Sequence, residues 1–299
     1  MGGARRARQN GPRTRESSAP HPETTSMRRA EFLFRCALAA LAALAAGLAT
    51  AAAAAEPPLE RASVRVGSYE VPLEIARPAG PGPHPPVLYI HAKRGYEAED
   101  RAHLRELAAQ GFLVVAPDWQ AGNMIERWPD RHYPETEADV EAALDLLRAH
   151  PDACRMPVGV VGVSRGPYFA VRLAAKRPAD IGPIVAYYGH FQNPNAPEPQ
   201  QLFSVAPEVQ QLRSPVLMLI GDADFELRRI VNGRAFYALW ERGVPVELQM
   251  YPLARRAFDF RADATPEEKI ARRHARQRAR DWLARHMGLD AQGRCPRRP

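Results

Sequence analysis

The sequence predicts an α/β fold: a mostly parallel central sheet with helices on both faces. Three observations carry that prediction. Short continuous apolar runs recur along the chain, among them Val87–Ile90, Phe112–Ala116, Val158–Val163, Ile184–Tyr188 and Val216–Ile220. Stretches with helical spacing separate them. Beyond residue 55, no shift in composition marks a second block. Strands that are apolar on both faces belong to a sheet covered on both sides, and such sheets are largely parallel. One domain over residues 56–299 is the simpler reading.

Taken in order, Arg61–Val66 and Val71–Ile75 alternate as short strands around a Gly-Ser turn. Val87–Ile90 is the third strand. A helix follows over about Ala98–Gln110, with Gly111 where a left-handed cap belongs. Phe112–Ala116 is the fourth strand. Glu135–Arg148 places Val140, Ala143, Leu144 and Leu147 on one helical face. Val158–Val163 is a strand, Tyr168–Lys176 a helix and Ile184–Tyr188 a strand. Residues 191–214 are proline-rich and read as a lid or a long surface loop. Val216–Ile220, a helix near Arg228–Glu241 and the strand Val246–Tyr251 come next. The last helix opens on Thr265-Pro266-Glu267-Glu268, a capping box with proline at its first position, and runs to about His286.

The N-terminal 55 residues stand apart. Residues 1–26 are polar and arginine-rich, with too little apolar surface to fold. Met27-Arg28-Arg29 then precedes an uncharged run, Cys36–Ala55, of 13 alanines and four leucines, ending in AAAAAE. A basic start, an apolar middle and a small-residue end are the parts of a secretory signal. The expected location is periplasmic or secreted, with no stable membrane insertion once the leader is cleaved. A retained anchor is the alternative, because 20 residues just span a bilayer. Met27 is an alternative start, and Arg28-Arg29 is a weak hint of twin-arginine export.

The formal charge of +7 has the same origin. Residues 1–55 hold eight arginines against Glu16, Glu23 and Glu31, which leaves the body nearly neutral. A nucleic-acid partner is therefore not expected. Six arginines on the last helix (Arg272, Arg273, Arg276, Arg278, Arg280 and Arg285) read as a solvated face rather than a membrane-binding one. Cys36 lies in the leader, so Cys154 and Cys295 remain; they either pair or stand as separate thiols. No Cys/His cluster has metal-ligand spacing, so no metal is expected.

In α/β sheets the reactive side chains gather at the carboxyl ends of the strands. There, after Val158–Val161, the chain reads Gly162-Val163-Ser164-Arg165-Gly166 and continues into a helix. This is G-x-S-x-G in its strand–turn–helix setting. The glycines permit a sharp turn that lifts the serine hydroxyl clear of the strand, and the Arg165 N–H becomes one oxyanion donor.

From this motif onward the chain resembles the α/β-hydrolase fold, and within it the dienelactone hydrolase family, over roughly residues 60–287. The phrases that carry the resemblance are Gly162–Gly166, Phe112–Asp118 (FLVVAPD), Tyr187-Tyr188-Gly189, Val216–Asp224 (VLMLIGDAD) and Tyr251–Phe260 (YPLARRAFDF). The resemblance implies a nucleophile at Ser164 and a triad acid at Asp224, with Asp222 second. It implies a second oxyanion donor at the Lys93 N–H, with Ala92 second. It also implies a small-molecule ester or lactone as substrate, without metal or organic cofactor. Nothing in the sequence addresses oligomeric state.

The resemblance breaks at the base. The family phrase Y-P-G-A-x-H-x-F here reads Tyr251-Pro252-Leu253-Ala254-Arg255-Arg256-Ala257-Phe258, so Arg256 stands in place of the histidine and Leu253 in place of the glycine. Arginine has no lone pair with which to take the serine's proton. His190, after the sixth strand, and His91, after the third, end the strands that flank Ser164 in this fold, and either is a candidate substitute. The other histidines lie on helices, in loops or at the amino ends of strands. Ala92 also stands where the family often has a glutamate near the nucleophile. Arg256 itself either pairs with Asp224 or reaches into the cleft to hold a substrate carboxylate. Trp119 and His91 are further candidates to line the substrate pocket. The sequence therefore supports two readings: an exported hydrolase with a relocated base, and a binding protein that lost it.

Overall fold

The computed structural model describes residues 57–197 and 200–296. The expected leader lies outside the described residues. Eight strands form one sheet in the order β1-β2-β4-β3-β5-β6-β7-β8. β1 (Leu59–Val66) and β2 (Tyr69–Ala76) are an antiparallel hairpin, with Gly67 at φ +55° in the turn. β2 runs antiparallel to β4 (Leu113–Pro117). From β4 onward the sheet is parallel, through β3 (Pro86–Ile90), β5 (Val158–Val163), β6 (Ile181–Tyr187), β7 (Val216–Ala223) and β8 (Val246–Arg255). This is the expected mostly parallel α/β architecture.

The period-two alternation of the strands sends their side chains into two apolar layers. On one face Leu88, Ile90, Val158 and Val160 pack against three helices: α2 (Thr136–Ala149), α3 (Gly166–Lys176) and α5 (Glu226–Trp240). α2 contributes the predicted Val140, Ala143, Leu144 and Leu147, all buried. On the other face Val87, Tyr89, Val161 and Val163 meet α1 (Ala98–Ala109) and α6 (Pro266–His286). Each large apolar side chain buried this way contributes about 1.5–3 kcal/mol by transfer from water. The capping box of α6 forms as its sequence requires: Thr265 Oγ1 accepts from Glu268 N, and the Glu268 carboxylate accepts from Thr265 N.

The structure lengthens three strands beyond their apolar runs. β6 begins at Ile181, which pairs with Val158 across a register irregularity that Gly182-Pro183 conceals in the sequence. β7 and β8 stay paired past their hydrophobic stretches, Gly221 with Tyr251 and Ala223 with Arg255. Backbone pairing rather than burial carries this extension, and it brings the residue after Arg255 beside the end of β7.

Residues 191–197 and 200–214 are packed rather than free. They hold the short helix α4 (Gln200–Phe203), and Phe191, Ala206, Val209 and Leu212 are buried. Arg242 ties the carbonyls of Val209 and Leu212. The arginine face of α6 is also not simply solvated. Arg278 pairs with Glu247, Arg272 with Glu106, and Arg276 is buried beside Asp259 and over the rings of Tyr187 and Phe260. Cys154 and Cys295 form a disulfide, with Cα atoms 6.5 Å apart, which decides between the two alternatives for these thiols. Among the described residues, no helix is long and apolar enough to cross a membrane.

Candidate active site

Ser164 occupies the turn between β5 and α3 at φ +55°. A non-glycine residue held there costs on the order of 1–3 kcal/mol, so the surroundings must hold it. They do: Ser164 N donates to Tyr187 O at 3.0 Å, and Ser164 O accepts from His190 N at 2.8 Å. The flanking glycines are required by contact. A Cβ on Gly162 would lie 2.6 Å from Pro167 N, and one on Gly166 would lie 2.2 Å from Ile90 O. Ser164 opens into a cleft of about 540 Å³, whose lining includes Lys93, Trp128, Tyr188, His190, Phe225, Arg228 and Arg256.

Arg256 is the hub of the site. Its Nη2 donates to Ser164 Oγ at 2.7 Å and lies 3.1 Å from His190 Nε2. Its Nη1 donates to Asp224 Oδ2 at 3.0 Å, and its guanidinium carbon sits 5.3 Å above the Tyr188 ring. Of the two arrangements open to Arg256 in the sequence, the ion pair with Asp224 is formed, and the same side chain also faces the cleft. Asp224 ends up buried, with a side chain 0% exposed, and accepts from its neighbour Phe225 N at 2.7 Å. Asp222, the second candidate acid, makes no hydrogen bond or ion pair with this cluster among the described residues.

His190 reaches the serine neighbourhood from the end of β6. The loop that carries it is fixed by Asn232, whose Nδ2 donates to Gly189 O at 3.0 Å. Burial, followed by the charges of Arg228, Arg256, Arg165 and Lys93, pushes the His190 pKa well below the ordinary imidazole value. The ring is therefore neutral at pH 7. A guanidinium N–H only donates, so Nε2 presents its lone pair to Arg256 and Nδ1 carries the hydrogen. The Gln192 amide lies 3.4 Å from Nδ1, and its oxygen, otherwise without a partner, accepts that hydrogen when the amide is turned to face it.

His91 and Trp119 are placed elsewhere. His91 is fully buried, stacks on Trp119 at a 5.0 Å centroid distance, and lies 3.6 Å from Asp118. Trp119 is itself buried, donating to His91 O and packing on Phe169. Neither lines the cleft. Both rings sit apart from the residues that line the cleft, and the indole packs behind the β3 loop with its N–H on a backbone acceptor. Ala92 and Lys93, by contrast, do line the cleft. The backbone N–H groups of Lys93 and Arg165 have no intramolecular acceptor among the described residues.

Sequence reasoning missed Arg228, Tyr188, Phe225 and Trp128. Arg228 lies on the first turn of α5, four residues after Asp224, and faces the cleft. The spacing from Asp224 was a usable signal for it. Trp128, at φ +59° and 63% exposed, gave none.

Comparison with known proteins follows the same lines. Residues 72–287 match the pattern of the "Dienelactone hydrolase family". A protein of Methylorubrum extorquens named "Putative carboxymethylenebutenolidase" is 25% identical over 233 residues, covering 72% of this chain and 77% of the relative. Among solved structures, the dienelactone hydrolase of Anabaena variabilis aligns at TM-score 0.58 and 20% identity, covering 77% of this chain and 99% of the other. The dienelactone hydrolase-like promiscuous phosphotriesterase P91, from metagenomic libraries, aligns at TM-score 0.62 and 18% identity, covering 77% and 98%. At these identities the structures speak to the fold.

Proposed function

The chain belongs to the dienelactone hydrolase family, and from that footing we propose that it is a serine hydrolase cleaving an ester or lactone bond through Ser164. In this reading Oγ attacks the acyl carbon while His190 Nε2 takes its proton. The amides of Arg165 and Lys93 hold the oxyanion. Arg256, oriented by Asp224, donates to Oγ and stabilises negative charge as it develops there. His190 then returns the proton to the leaving oxygen, and water repeats the sequence on the acyl-enzyme. The scheme requires no metal or organic cofactor.

The observation that carries this reading is the strained Ser164 with its hydroxyl in the cleft, sharing one guanidinium nitrogen with a neutral imidazole. The test is labelling of the purified protein by a fluorophosphonate, with hydrolysis of p-nitrophenyl acetate in parallel. Ser164 is expected to carry the label, and Ser164→Ala to abolish both signals. A native protein that neither labels nor hydrolyses overturns the proposal.

One observation favours a second reading, a relative that binds but does not turn over. Arg256 Nη2 occupies both the serine oxygen and the imidazole lone pair, so proton transfer requires the guanidinium to release Nε2. A silent native protein that becomes active as Arg256→His would establish this reading. Export is proposed as well. The alanine-rich leader motivates it, and a disulfide suits an oxidising compartment. Its test is the N-terminal mass of the protein recovered from the native host, expected to begin after the alanine run; an intact leader would refute it.

A further inference from the structure

We propose that the cleft holds a doubly charged tetrahedral oxyanion, of the phosphomonoester kind, on the side chains of Lys93 and Arg228, with the buried guanidinium of Arg165 as a further unmatched charge nearby. The binding site stands on its own geometry; that the anion is part of a hydrolysed substrate rests on the reading above.

The argument begins with which cations are already neutralised. Around the cleft, Arg256 is matched by Asp224, Arg94 by Glu97 and Asp100, and Arg261 by Asp263. Lys93, Arg165 and Arg228 form no ion pair among the described residues. Lys93 Nζ has only the Pro129 carbonyl, at 3.4 Å. Arg165 is 8% exposed, and its Nε and Nη1 are buried without a hydrogen-bond partner. Unmatched buried charge is costly, and proteins ordinarily place it only where a counter-ion arrives.

The three charges also act on one another. Burial pushes the Arg165 guanidinium down to about 10. Burial and then the charges of Arg256 and Arg165, against a weaker opposing pull from Asp224, bring Arg228 down to about 10. Burial, Arg165, Arg228 and Arg256 lower Lys93. They therefore share one electrostatic space beside Ser164 and His190. A carboxylate would match one of these charges and leave two. A dianion matches two and leaves a net charge that solvent at the cleft mouth can screen.

Geometry selects the tetrahedral form. The two cations that line the cleft come from separate elements, the loop after β3 and the first turn of α5. An ion with oxygens on every side accepts from donors carried by separate elements, whereas a planar carboxylate suits two forks from one side. The N-termini of α3 and α5 add partial positive charge at the same end of the sheet. Phe225 and Trp128, 69% and 63% exposed at the rim, offer apolar surface to the rest of the molecule.

The test is calorimetry and thermal unfolding of the full chain with inorganic phosphate, acetate and malonate at matched ionic strength. Phosphate is expected to bind at millimolar concentration or tighter and to raise the melting temperature, with acetate at least tenfold weaker. Arg228→Gln and Lys93→Gln, each checked for folding, are expected to weaken phosphate at least tenfold. Equal binding of acetate, tighter binding of malonate, or phosphate affinity indifferent to both substitutions would overturn the proposal. Neither readout needs turnover, so phosphate binding by a protein that does not hydrolyse esters would refute the hydrolase and leave the anion site standing.

Discussion

Arg256 donates to the Ser164 hydroxyl at 2.7 Å, so a cation rather than a base is the hydrogen-bonding side chain beside the proposed nucleophile. A guanidinium cannot take a proton, but it stabilises the alkoxide once another group has done so. Arg256→Met removes that stabilisation and also frees His190 Nε2. The expected outcome is a fall in kcat of about 10²–10³, the usual effect of losing one preorganised donor. A rise in kcat would mean that Arg256 obstructs the site instead of serving it.

His190 and His91 separate cleanly. His190→Ala is expected to lower kcat by about 10²–10⁴ with the fold retained. His91→Phe, which keeps a flat ring against Trp119, is expected to leave kcat within about twofold. Steady-state kinetics on one neutral ester, with circular dichroism as the folding check, decides the matter. The reverse pattern would move the base to the β3 loop.

These pairs show how far the sequence could be read. G-x-S-x-G between a valine run and a helix located Ser164 because the turn is dictated locally, by two glycines whose neighbours leave no room for a Cβ. Strand centres were legible because strands buried on both faces are continuously apolar. The ends of β7 and β8 were not, because exposed backbone pairing leaves no hydrophobic trace. His190, the first choice of base, and His91, the second, both end strands that flank Ser164, and packing is what separates them: one ring reaches Arg256, the other stacks on an indole. Arg228 was overlooked, although it follows Asp224 by four residues, because an arginine on a helix normally points to water.

The pH dependence follows from the lowered pKa of His190, to which burial contributes most. The proposed base works when neutral, and His190 stays neutral below the ordinary imidazole value of about 6.5. The rate is therefore expected to stay flat from pH 8 through 6, with its acid limb well below 6.5. An acid limb at or above 6.5 in kcat/KM would exclude His190 as the base.

Stability has the opposite sensitivity. His190 and His103 are both buried with strongly lowered pKa values, His103 by burial and then by Arg276 and Arg272. Below about pH 6.5 the unfolded chain protonates these rings while the folded chain does not. The unfolded state then binds more protons and stability falls, by up to about 1.4 kcal/mol per pH unit per ring, until the folded pKa is reached. His103 sits edge-on to Tyr89 and Tyr187 with both ring nitrogens unpartnered. His103→Phe is expected to flatten the decline in melting temperature between pH 7 and 5; an unchanged slope would remove His103 from this account.

Leu253 tests how the site is aimed. It stands where the family phrase has glycine, yet its backbone is at φ +60° within β8, and its side chain is 67% exposed. The left-handed conformation costs a leucine about 1–2 kcal/mol. Glycine removes that cost and loses about 0.5–1 kcal/mol to its freer unfolded state. Leu253→Gly is therefore expected to stabilise the protein by about 0.5–1 kcal/mol in urea unfolding, with little packing lost. Leu253→Ala keeps the strain and is expected to change stability by less than about 0.5 kcal/mol. The position lies three residues before Arg256, in a bulge where β8 advances four residues, Tyr251 to Arg255, while β7 advances two, Gly221 to Ala223, and this path brings Arg256 beside the end of β7. A glycine variant less stable than the native protein would mean that the leucine side chain, and not the surrounding strand pairing, holds that path.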